Sequence, residues 1–382
     1  MDLSAWLKDT RLVVCVGSGG VGKTTTAAAI GLWGALQGRR AMVLTIDPAK
    51  RLANSLGLEQ MGGEPTQIDL AGLPEATGEL WAMMLDSRGT FDALIAQVAP
   101  SPEARDRILA NHVYRAMADA FAGSQDYMAT EKLYDLASDG RWDLLVLDTP
   151  PVQNALDFLE SPGRVVKFLD ERVLSWFTAP YEKERVWGGA FLAGTSAFLF
   201  RLLGYVFGKE FLDDFAEFLQ VFSGLYDGFR QRHQAVMELL DARSTSFVTV
   251  CAPTVSSVEV ARFFQEELAR RGHPRGGLVV NQIHRVEAAD DDADGVLGEA
   301  ARTLGADLQP ATAARLVARL GRAHARLRAQ SEADHALAAR ARAAAHGSGG
   351  FYQEVPRIEG EVHDLASLEV VGQHLFGDAE EA

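Results

Sequence analysis

Residues 12–24 read LVVCVGSGGVGKT, an apolar run that enters a glycine-rich loop and ends on a lysine and a threonine. The run Leu12–Val16 is typical of a buried parallel strand, and the alanines and leucine within 27–32 favour a helix after the loop. The loop, Gly17–Thr24, matches the pattern G-x-x-x-x-G-K-[ST]. Glycines let the backbone fold around phosphate oxygens with N–H groups turned inward, and the helix N-terminus adds partial positive charge. The stretch therefore predicts a strand, a phosphate-binding loop and a helix in succession.

The residues of this loop are expected to share the binding of ATP and Mg²⁺. Lys23 is predicted to reach the β- and γ-phosphates, the Thr24 hydroxyl to ligate Mg²⁺, and Thr25 to contact the α-phosphate. The other nucleotide-binding positions of the loop are Gly19, Gly20, Val21 and Gly22. A chance glycine turn is the alternative, but it would not explain why the pattern lies between a predicted strand and a predicted helix.

Further apolar runs alternate with helical patterns along the chain. The runs that resemble strands are Ala41–Ile46, Leu80–Leu85, Leu144–Leu147, Phe247–Cys251 and Leu278–Val280. Strands alternating with helices predict an α/β fold with a doubly wound, mostly parallel sheet. Ligands of such sheets bind beyond the carboxyl ends of the strands, where the phosphate-binding loop also lies.

Two acidic residues follow predicted strands and are candidates for the chemistry at this edge. Asp148 is expected to hold Mg²⁺ directly or through water, with a turn-forming Asp as the alternative. Asp47 is expected to orient or deprotonate a water that attacks the γ-phosphate. Its alternative is a role as an Asp-Pro turn former.

Composition sets limits on the function. Of 382 residues, 47% are apolar and 23% are charged, as in a soluble globular protein. The net charge of −15 argues against a general nucleic-acid binder, since phosphate backbones need clustered cations. Cys15 and Cys251 cannot form a four-cysteine zinc site within one chain, so no zinc is expected. Because residues 1–8 hold no apolar signal core, we expect a cytoplasmic protein.

Two segments are predicted to be helical without belonging to the sheet. Residues 156–240 are rich in aromatic residues at helical spacing and predict an apolar insertion, which packs on the core or receives an apolar partner helix. Within it, Val186–Phe207 has the length of a membrane span, but its glycines and internal arginine favour a soluble helix. Residues 311–345 are rich in alanine and arginine and predict an exposed helical hairpin, with a partner surface as the alternative.

The sequence of residues 17–52, GSGGVGKTTTAAAIGLWGALQGRRAMVLTIDPAKRL, resembles the ArsA family of P-loop ATPases. The resemblance continues through LDTPP at 147–151, VVNQ at 279–282 and VPRIEGEV at 355–362. It implies that residues 1–382 form one P-loop ATPase domain that works as a nucleotide-gated dimer. The family includes the arsenite-pump ATPase and the ATPase that targets tail-anchored membrane proteins.

The resemblance assigns further roles to single residues. It implies that Asp47 is the switch I aspartate that positions the attacking water and that Asp148 begins switch II. It also implies that Asn281 reads the adenine base and that Val355 and Pro356 belong to a loop beside that base.

The sequence departs from the family at several positions. The family's deviant Walker A loop has a lysine that reaches the partner's phosphates, and Ser18 stands at that position here. Hydrolysis is then slow, or a paralogous partner supplies the lysine, or Lys50 and Arg51 supply charge instead. The zinc clamp and the arsenite-binding cysteines of relatives are also absent from the sequence.

The resulting expectation is an ATP-hydrolysing switch whose nucleotide state controls an apolar client, such as a helix of a membrane protein. The dimer is expected to be a homodimer or a heterodimer with a paralogue, and peripheral association with a membrane stays open. One alternative is a nucleotide-dependent chaperone or adaptor with little hydrolysis of its own. Another is the energy-coupling subunit of an anion pump.

Overall fold

The computed structural model describes residues 3–47, 51–112, 114–115, 125–150, 226–273, 276–286, 302–303, 310–345, 350–358, 360 and 362–377. Within these ranges eight strands lie in one sheet: β1 Leu12–Val16, β2 Arg40–Thr45, β3 Thr66–Gln67, β4 Glu79–Met84, β5 Leu144–Asp148, β6 Thr245–Cys251, β7 Gly276–Ile283 and β8 Tyr352–Pro356. The described helices longer than two residues are α1 Leu3–Lys8, α2 Lys23–Leu36, α3 Arg51–Ser55, α4 Ser87–Val98, α5 Pro102–Ala110, α6 Gln125–Ser138, α7 Tyr226–Asp241, α8 Val255–Arg271, α9 Pro310–Ala345 and α10 Leu365–Phe376.

The strand order is β3-β4-β2-β5-β1-β6-β7-β8. Every neighbouring pair is parallel except β3 and β4 at one edge, which are antiparallel. The prediction of a mostly parallel α/β sheet is confirmed. Strand β1, which leads into the phosphate-binding loop, lies between β5 and β6 near the middle of the sheet.

The central strands are buried along their whole length because both faces of the sheet are covered. All residues of β1, β5 and β6 are buried. On one face α4, α6 and α7 supply core residues, and on the other α2 and α10 do so. A strand that is buried on both faces needs apolar residues along its whole length, as in Leu12–Val16. These strands can therefore be predicted from the sequence. Both cysteines are buried in these strands.

The segment at 311–345 differs from its prediction. A hairpin was expected, but Pro310–Ala345 is a single helix of 36 residues. Gly321 does not interrupt it, since one glycine costs a helix only about 1 kcal/mol and the flanking alanines and arginines favour helix. Of the predicted insertion at 156–240, residues 156–225 lie outside the described residues and the rest belongs to α7. Val186–Phe207 lies in the part that is not described.

The prediction of loops near the base is also corrected. Asn281 and Gln282 were expected after the end of a strand, but β7 continues to Ile283 with an irregular register. Val355 and Pro356, expected in a loop, are the last two residues of β8. Among the described residues, no helix is both long enough and apolar enough to cross a membrane.

Candidate nucleotide site

The glycine-rich loop turns tightly between β1 and α2. Gly22 is the residue before α2 and has φ of 91°, and a Cβ there would lie 2.1 Å from Asn281 Nδ2. Gly17 has φ of 155°, and a Cβ there would lie 2.0 Å from the carbonyl oxygen of Val250. Side chains do not fit at either position, and the positive φ angles favour glycine. The loop therefore packs directly against the carboxyl ends of β6 and β7.

Three side chains meet where β1, β2 and β5 end. Thr24 Oγ1 donates to Asp148 Oδ2 at 2.8 Å, and Thr45 Oγ1 donates to the same oxygen at 2.9 Å. Asp148 is fully buried, and its other oxygen, Oδ1, has no hydrogen-bond partner within the described residues. Burial raises the pKa of Asp148 to about 6, although the two threonine hydroxyls and the charge of Lys23 act in the opposite direction.

The donor set of this cluster fits Mg²⁺. A carboxylate and a hydroxyl are hard oxygen ligands of the kind that Mg²⁺ prefers beside a triphosphate. The unpaired Oδ1 of Asp148 is a buried polar atom that a cation or its water would satisfy. Thr24 and Asp148 are the residues that would hold the ion, as the sequence predicts.

Lys23 begins α2 and is buried, with 6% of its surface exposed. Its ammonium donates to the carbonyl oxygen of Ser18 at 2.9 Å, so it bridges the two ends of the loop. Burial lowers the pKa of Lys23, and the nearby Asp148 carboxylate opposes that change. An ammonium group removed from water in this way interacts with phosphate more strongly than an exposed one.

Asp47 follows β2 and is connected to the same cluster. Its backbone N–H donates to Thr45 Oγ1 at 3.2 Å, while that hydroxyl donates to Asp148. Asp47 Oδ2 also lies 3.6 Å from Arg51 Nη1 at the start of α3. Thr45 thus places the candidate water-positioning acid one contact away from the candidate Mg²⁺ ligand.

Lys23, Thr24 and Asp47 line one cavity of about 680 Å³. That volume is within the usual range for small-molecule sites. The cavity is lined by Gly20, Gly22, Lys23, Thr24, Thr25, Asp47, Arg51, Asn54, Ser55, Gly57, Leu58, Glu59, Thr149, Gln282, Val362 and His363. The structure therefore brings Asp47 and the loop, with Lys23, Thr24 and Thr25, to a single opening at the carboxyl edge of the sheet.

The residues predicted to contact adenine lie beside this cavity. Asn281 Nδ2 donates to the carbonyl oxygen of Val21 at 2.9 Å. Pro356 is opposite Ile283 in the register of β8 and β7. Among the described residues, the lining on this side comes from Gln282, Val362 and His363, and neither Asn281 nor Pro356 contributes to it. In this conformation Asn281 supports the loop, and its contact with a base stays a prediction.

Sequence comparison decides the family. Residues 10–297 match the sequence profile of the ArsA family, described as anion-transporting ATPase. The chain belongs to the ArsA family. Among its curated relatives are "ATPase get3" of Neurospora crassa and "ATPase ASNA1 homolog 1" of Paramecium tetraurelia. The first is 25% identical over 72% of this chain and 74% of the relative. The second is 23% identical over 70% of this chain and 73% of the relative.

A bacterial relative matches a smaller part of this ArsA-family ATPase. An uncharacterized protein of Streptomyces coelicolor is 32% identical over 162 residues, which are 42% of this chain and 39% of the relative. The two longer matches carry the word ATPase in their names, and ATPase activity follows for this chain as a member of the family.

Sequence reasoning missed several residues of this ArsA-family site, and three residues that it did not predict make hydrogen-bonding contacts there. Thr45 joins Asp47 to Asp148, Gln282 Nε2 donates to the carbonyl oxygen of Gly20 at 3.2 Å, and Ser257 lies 2.9 Å from Ser18 between their hydroxyl oxygens. Thr45 could have been found, because it is a polar residue at the end of an apolar run directly before the Ile46-Asp47 pair. The other two depend on which strands are neighbours, and that is a tertiary property.

Proposed function

We propose that this ArsA-family ATPase binds MgATP at the glycine-rich loop and acts as a switch that hydrolyses it to ADP and phosphate. The observation that carries the proposal is the cluster in which Thr24 and Thr45 both donate to buried Asp148 while Asp148 Oδ1 has no described partner. A buried carboxylate beside a phosphate-binding loop is costly unless a cation accompanies it. The arrangement is suited to a metal–triphosphate complex.

The residues of this site divide the chemistry as follows. Lys23 and the N–H groups of the loop bind the phosphates, and Thr24 and Asp148 hold Mg²⁺, which supplies charge neutralisation when bound. The Asp47 carboxylate accepts a hydrogen bond from the water and orients it toward the γ-phosphate. The cavity lining from Gln282 and His363 encloses the remainder of the nucleotide.

The switch is proposed to act on an apolar client through a dimer in the cytoplasm. Support comes from the resemblance to ATPases that target tail-anchored proteins and from the aromatic-rich composition of residues 156–225. The segment 151–225 follows β5, and β5 ends at Asp148 in the nucleotide site. A change at Asp148 on hydrolysis therefore lies directly before the segment proposed to receive the client.

Two substitutions test the proposed ATPase site. Lys23→Ala is expected to abolish nucleotide binding or turnover, because a buried ammonium is lost from the loop. Asp47→Asn is expected to leave MgATP binding within about twofold and to lower kcat by at least about a hundredfold, because only the water loses its acceptor. Steady-state phosphate release and calorimetry with MgATP measure the two effects.

Either of two outcomes would contradict this assignment. Unchanged turnover in Lys23→Ala would show that the loop takes no part in ATP hydrolysis. Equal loss of binding and turnover in Asp47→Asn would make Asp47 a structural residue. A suitable control is Asp86→Asn, because Asp86 caps α4 by accepting from Gly89 N and does not line the cavity.

A nucleotide-dependent adaptor with little turnover is the second candidate, and the Ser18 contact favours it. The Ser18 hydroxyl lies 2.9 Å from that of Ser257, which also accepts from Ala252 N at 3.1 Å. Ser18 thus interacts within its own chain and offers no cation to a partner. Steady-state assays of the purified chain, with and without a paralogue, separate the candidates, and robust turnover by the chain alone would remove the second one.

A further inference from the structure

The nucleotide cavity contains a second cationic side chain whose role is open. Among the described residues that line it, Lys23 and Arg51 are its only lysine and arginine. The Lys23 ammonium lies deep in the loop, where it donates to the Ser18 carbonyl oxygen. Arg51 stands at the wall, with 61% of its side chain exposed. The two cations therefore occupy different depths of the same opening.

Arg51 is linked to the reactive part of the site through Asp47. Its guanidinium Nη1 lies 3.6 Å from Asp47 Oδ2, and the Asp47 N–H donates to the Thr45 hydroxyl that holds Asp148. A line of contacts thus runs from the candidate metal ligand to the guanidinium. If Asp47 orients the attacking water, then Arg51 lies where the terminal phosphate meets that water.

The pairing of Arg51 with Asp47 is loose enough to rearrange. The separation of 3.6 Å exceeds the usual range of a charge-assisted hydrogen bond, and the guanidinium is largely in water. Because the separation is long and the guanidinium is exposed, this ion pair contributes little to stability, and Arg51 can exchange the carboxylate for a phosphate oxygen at low cost. Charge develops on phosphate oxygens during phosphoryl transfer, and a permanently charged planar guanidinium is suited to bind them.

We propose that Arg51 binds the terminal phosphate of ATP within its own chain and stabilises the charge that develops there during hydrolysis. The inference rests on the proposed function, since it needs MgATP in the cavity. It assigns Lys23 to the β- and γ-phosphates at the floor of the loop and Arg51 to the γ-phosphate at the opening. ADP, which has no γ-phosphate, does not use the Arg51 contact.

The test compares Arg51→Ala and Arg51→Lys with a matched control. Arg230→Ala is that control, because Arg230 lies 3.6 Å from Asp227 with 62% of its side chain exposed, but on α7 and outside the cavity lining. Calorimetry with magnesium measures the affinities for ADP, for ADP with aluminium fluoride and for adenylyl imidodiphosphate. Phosphate release gives kcat and KM for each variant.

Arg51→Ala is expected to lower the affinity for adenylyl imidodiphosphate by at least about tenfold, and the affinity for ADP with aluminium fluoride by more. The affinity for ADP alone should stay within about twofold of the parent value. The kcat of Arg51→Ala is expected to fall at least as far, Arg51→Lys to be intermediate, and Arg230→Ala to match the parent. The intact ADP affinity distinguishes loss of a phosphate contact from loss of folding.

Three results with the variants would overturn the inference. If Arg51→Ala lost affinity for ADP and adenylyl imidodiphosphate equally, Arg51 would have a structural role. If its affinities and kcat were unchanged, Arg51 would have no role in the reaction. A comparable loss in Arg230→Ala would make the effect unspecific. If the parent chain binds no adenine nucleotide, the proposed function fails and this inference with it. If the parent binds and hydrolyses ATP and Arg51→Ala does so equally well, only the inference fails.

Discussion

At the scale of single residues, the Asp148 carboxylate is a candidate Mg²⁺ ligand, but its buried charge lowers the stability of the fold. Its carboxyl is fully buried, and burial raises its pKa from 3.8 to about 6. Thr24 and Thr45 compensate for only one of its two oxygens within the described residues. The metal-free fold is thus less stable at neutral pH than it would be without this charge, as functional sites often are.

Asp148→Asn is expected to stabilise the protein in the presence of a chelator. Because the folded pKa lies above the unfolded value, the folded chain binds the extra proton between about pH 4 and 6, and stability falls as pH rises through that window. The neutral amide should raise the free energy of unfolding above pH 7 by about 1–3 kcal/mol. Below pH 7 it should make the free energy of unfolding less dependent on pH. Urea unfolding at several pH values measures both effects.

The same variant should lose the magnesium-dependent part of nucleotide binding. Calorimetry with ATP, with and without Mg²⁺, is the paired measurement, and Thr45→Val is a useful comparison because it removes a hydroxyl donor to Asp148 but keeps the carboxylate. A variant less stable than the parent at pH 8, with magnesium dependence intact, would contradict both the electrostatic account and the metal assignment.

At the scale of elements, helix α9 is attached to the site edge by one buried carboxylate. Asp334 is fully buried and accepts from His284 N at 2.9 Å, from His284 Nδ1 at 2.7 Å and from Gln330 Nε2 at 2.8 Å. His284 comes directly after β7, two residues beyond Gln282. The buried residues of α9 follow at helical spacing: Ser331, Asp334, Ala338 and Ala341. Among the side chains of α9 that the structure describes, the fully buried ones therefore lie in its second half.

Asp334→Ala is expected to destabilise the protein by about 2–4 kcal/mol, because three donors lose their acceptor and two of them belong to His284. Glu332→Ala, an exposed change on the same helix, should alter stability by less than about 0.5 kcal/mol. Urea unfolding followed by far-UV circular dichroism measures the difference. Equal stability of the two variants would show that the Asp334 contacts contribute nothing.

The elements also show what the sequence could and could not predict. β1, β2 and β5 are readable because strands buried on both faces are continuous apolar runs. The five-residue helix α3 and the two-residue strand β3 are too short to give a pattern. Asn281 is typical of a turn and the family resemblance implies a loop at Val355 and Pro356, whereas pairing between β7 and β8 decides the conformation of both segments.

The candidate site shows the same division between local and tertiary information. Lys23 and Thr24 are predictable because the loop pattern is contiguous in sequence. Ser257 is not, because its contact with Ser18 depends on β6 lying beside β1, and nothing local to either residue specifies that neighbour. Arg51 comes only four residues after Asp47, so a contact between them is predictable from the sequence, but the place of Arg51 in the cavity is not.

At the scale of the whole molecule, the cavity joins segments that are far apart along the chain. Its described lining comes from the loop at 20–25, from Asp47 and residues 51–59, and from Thr149, Gln282, Val362 and His363. These segments belong to different strands: four follow the carboxyl ends of β1, β2, β5 and β8, and Gln282 is the second-to-last residue of β7. A nucleotide that bridges them would make their local stabilities depend on one another.

MgATP is therefore expected to slow amide hydrogen exchange at all of these segments together. At a concentration about a hundredfold above Kd it should add about 2.7 kcal/mol, which for a chain of this length is a shift of about 3 °C in Tm. Lys23→Ala is the control and should show neither change, because it removes the phosphate contact and leaves the strands in place. Protection limited to residues 20–25 would mean that the nucleotide does not reach Gln282 and His363, and that the cavity is not the nucleotide site as a whole.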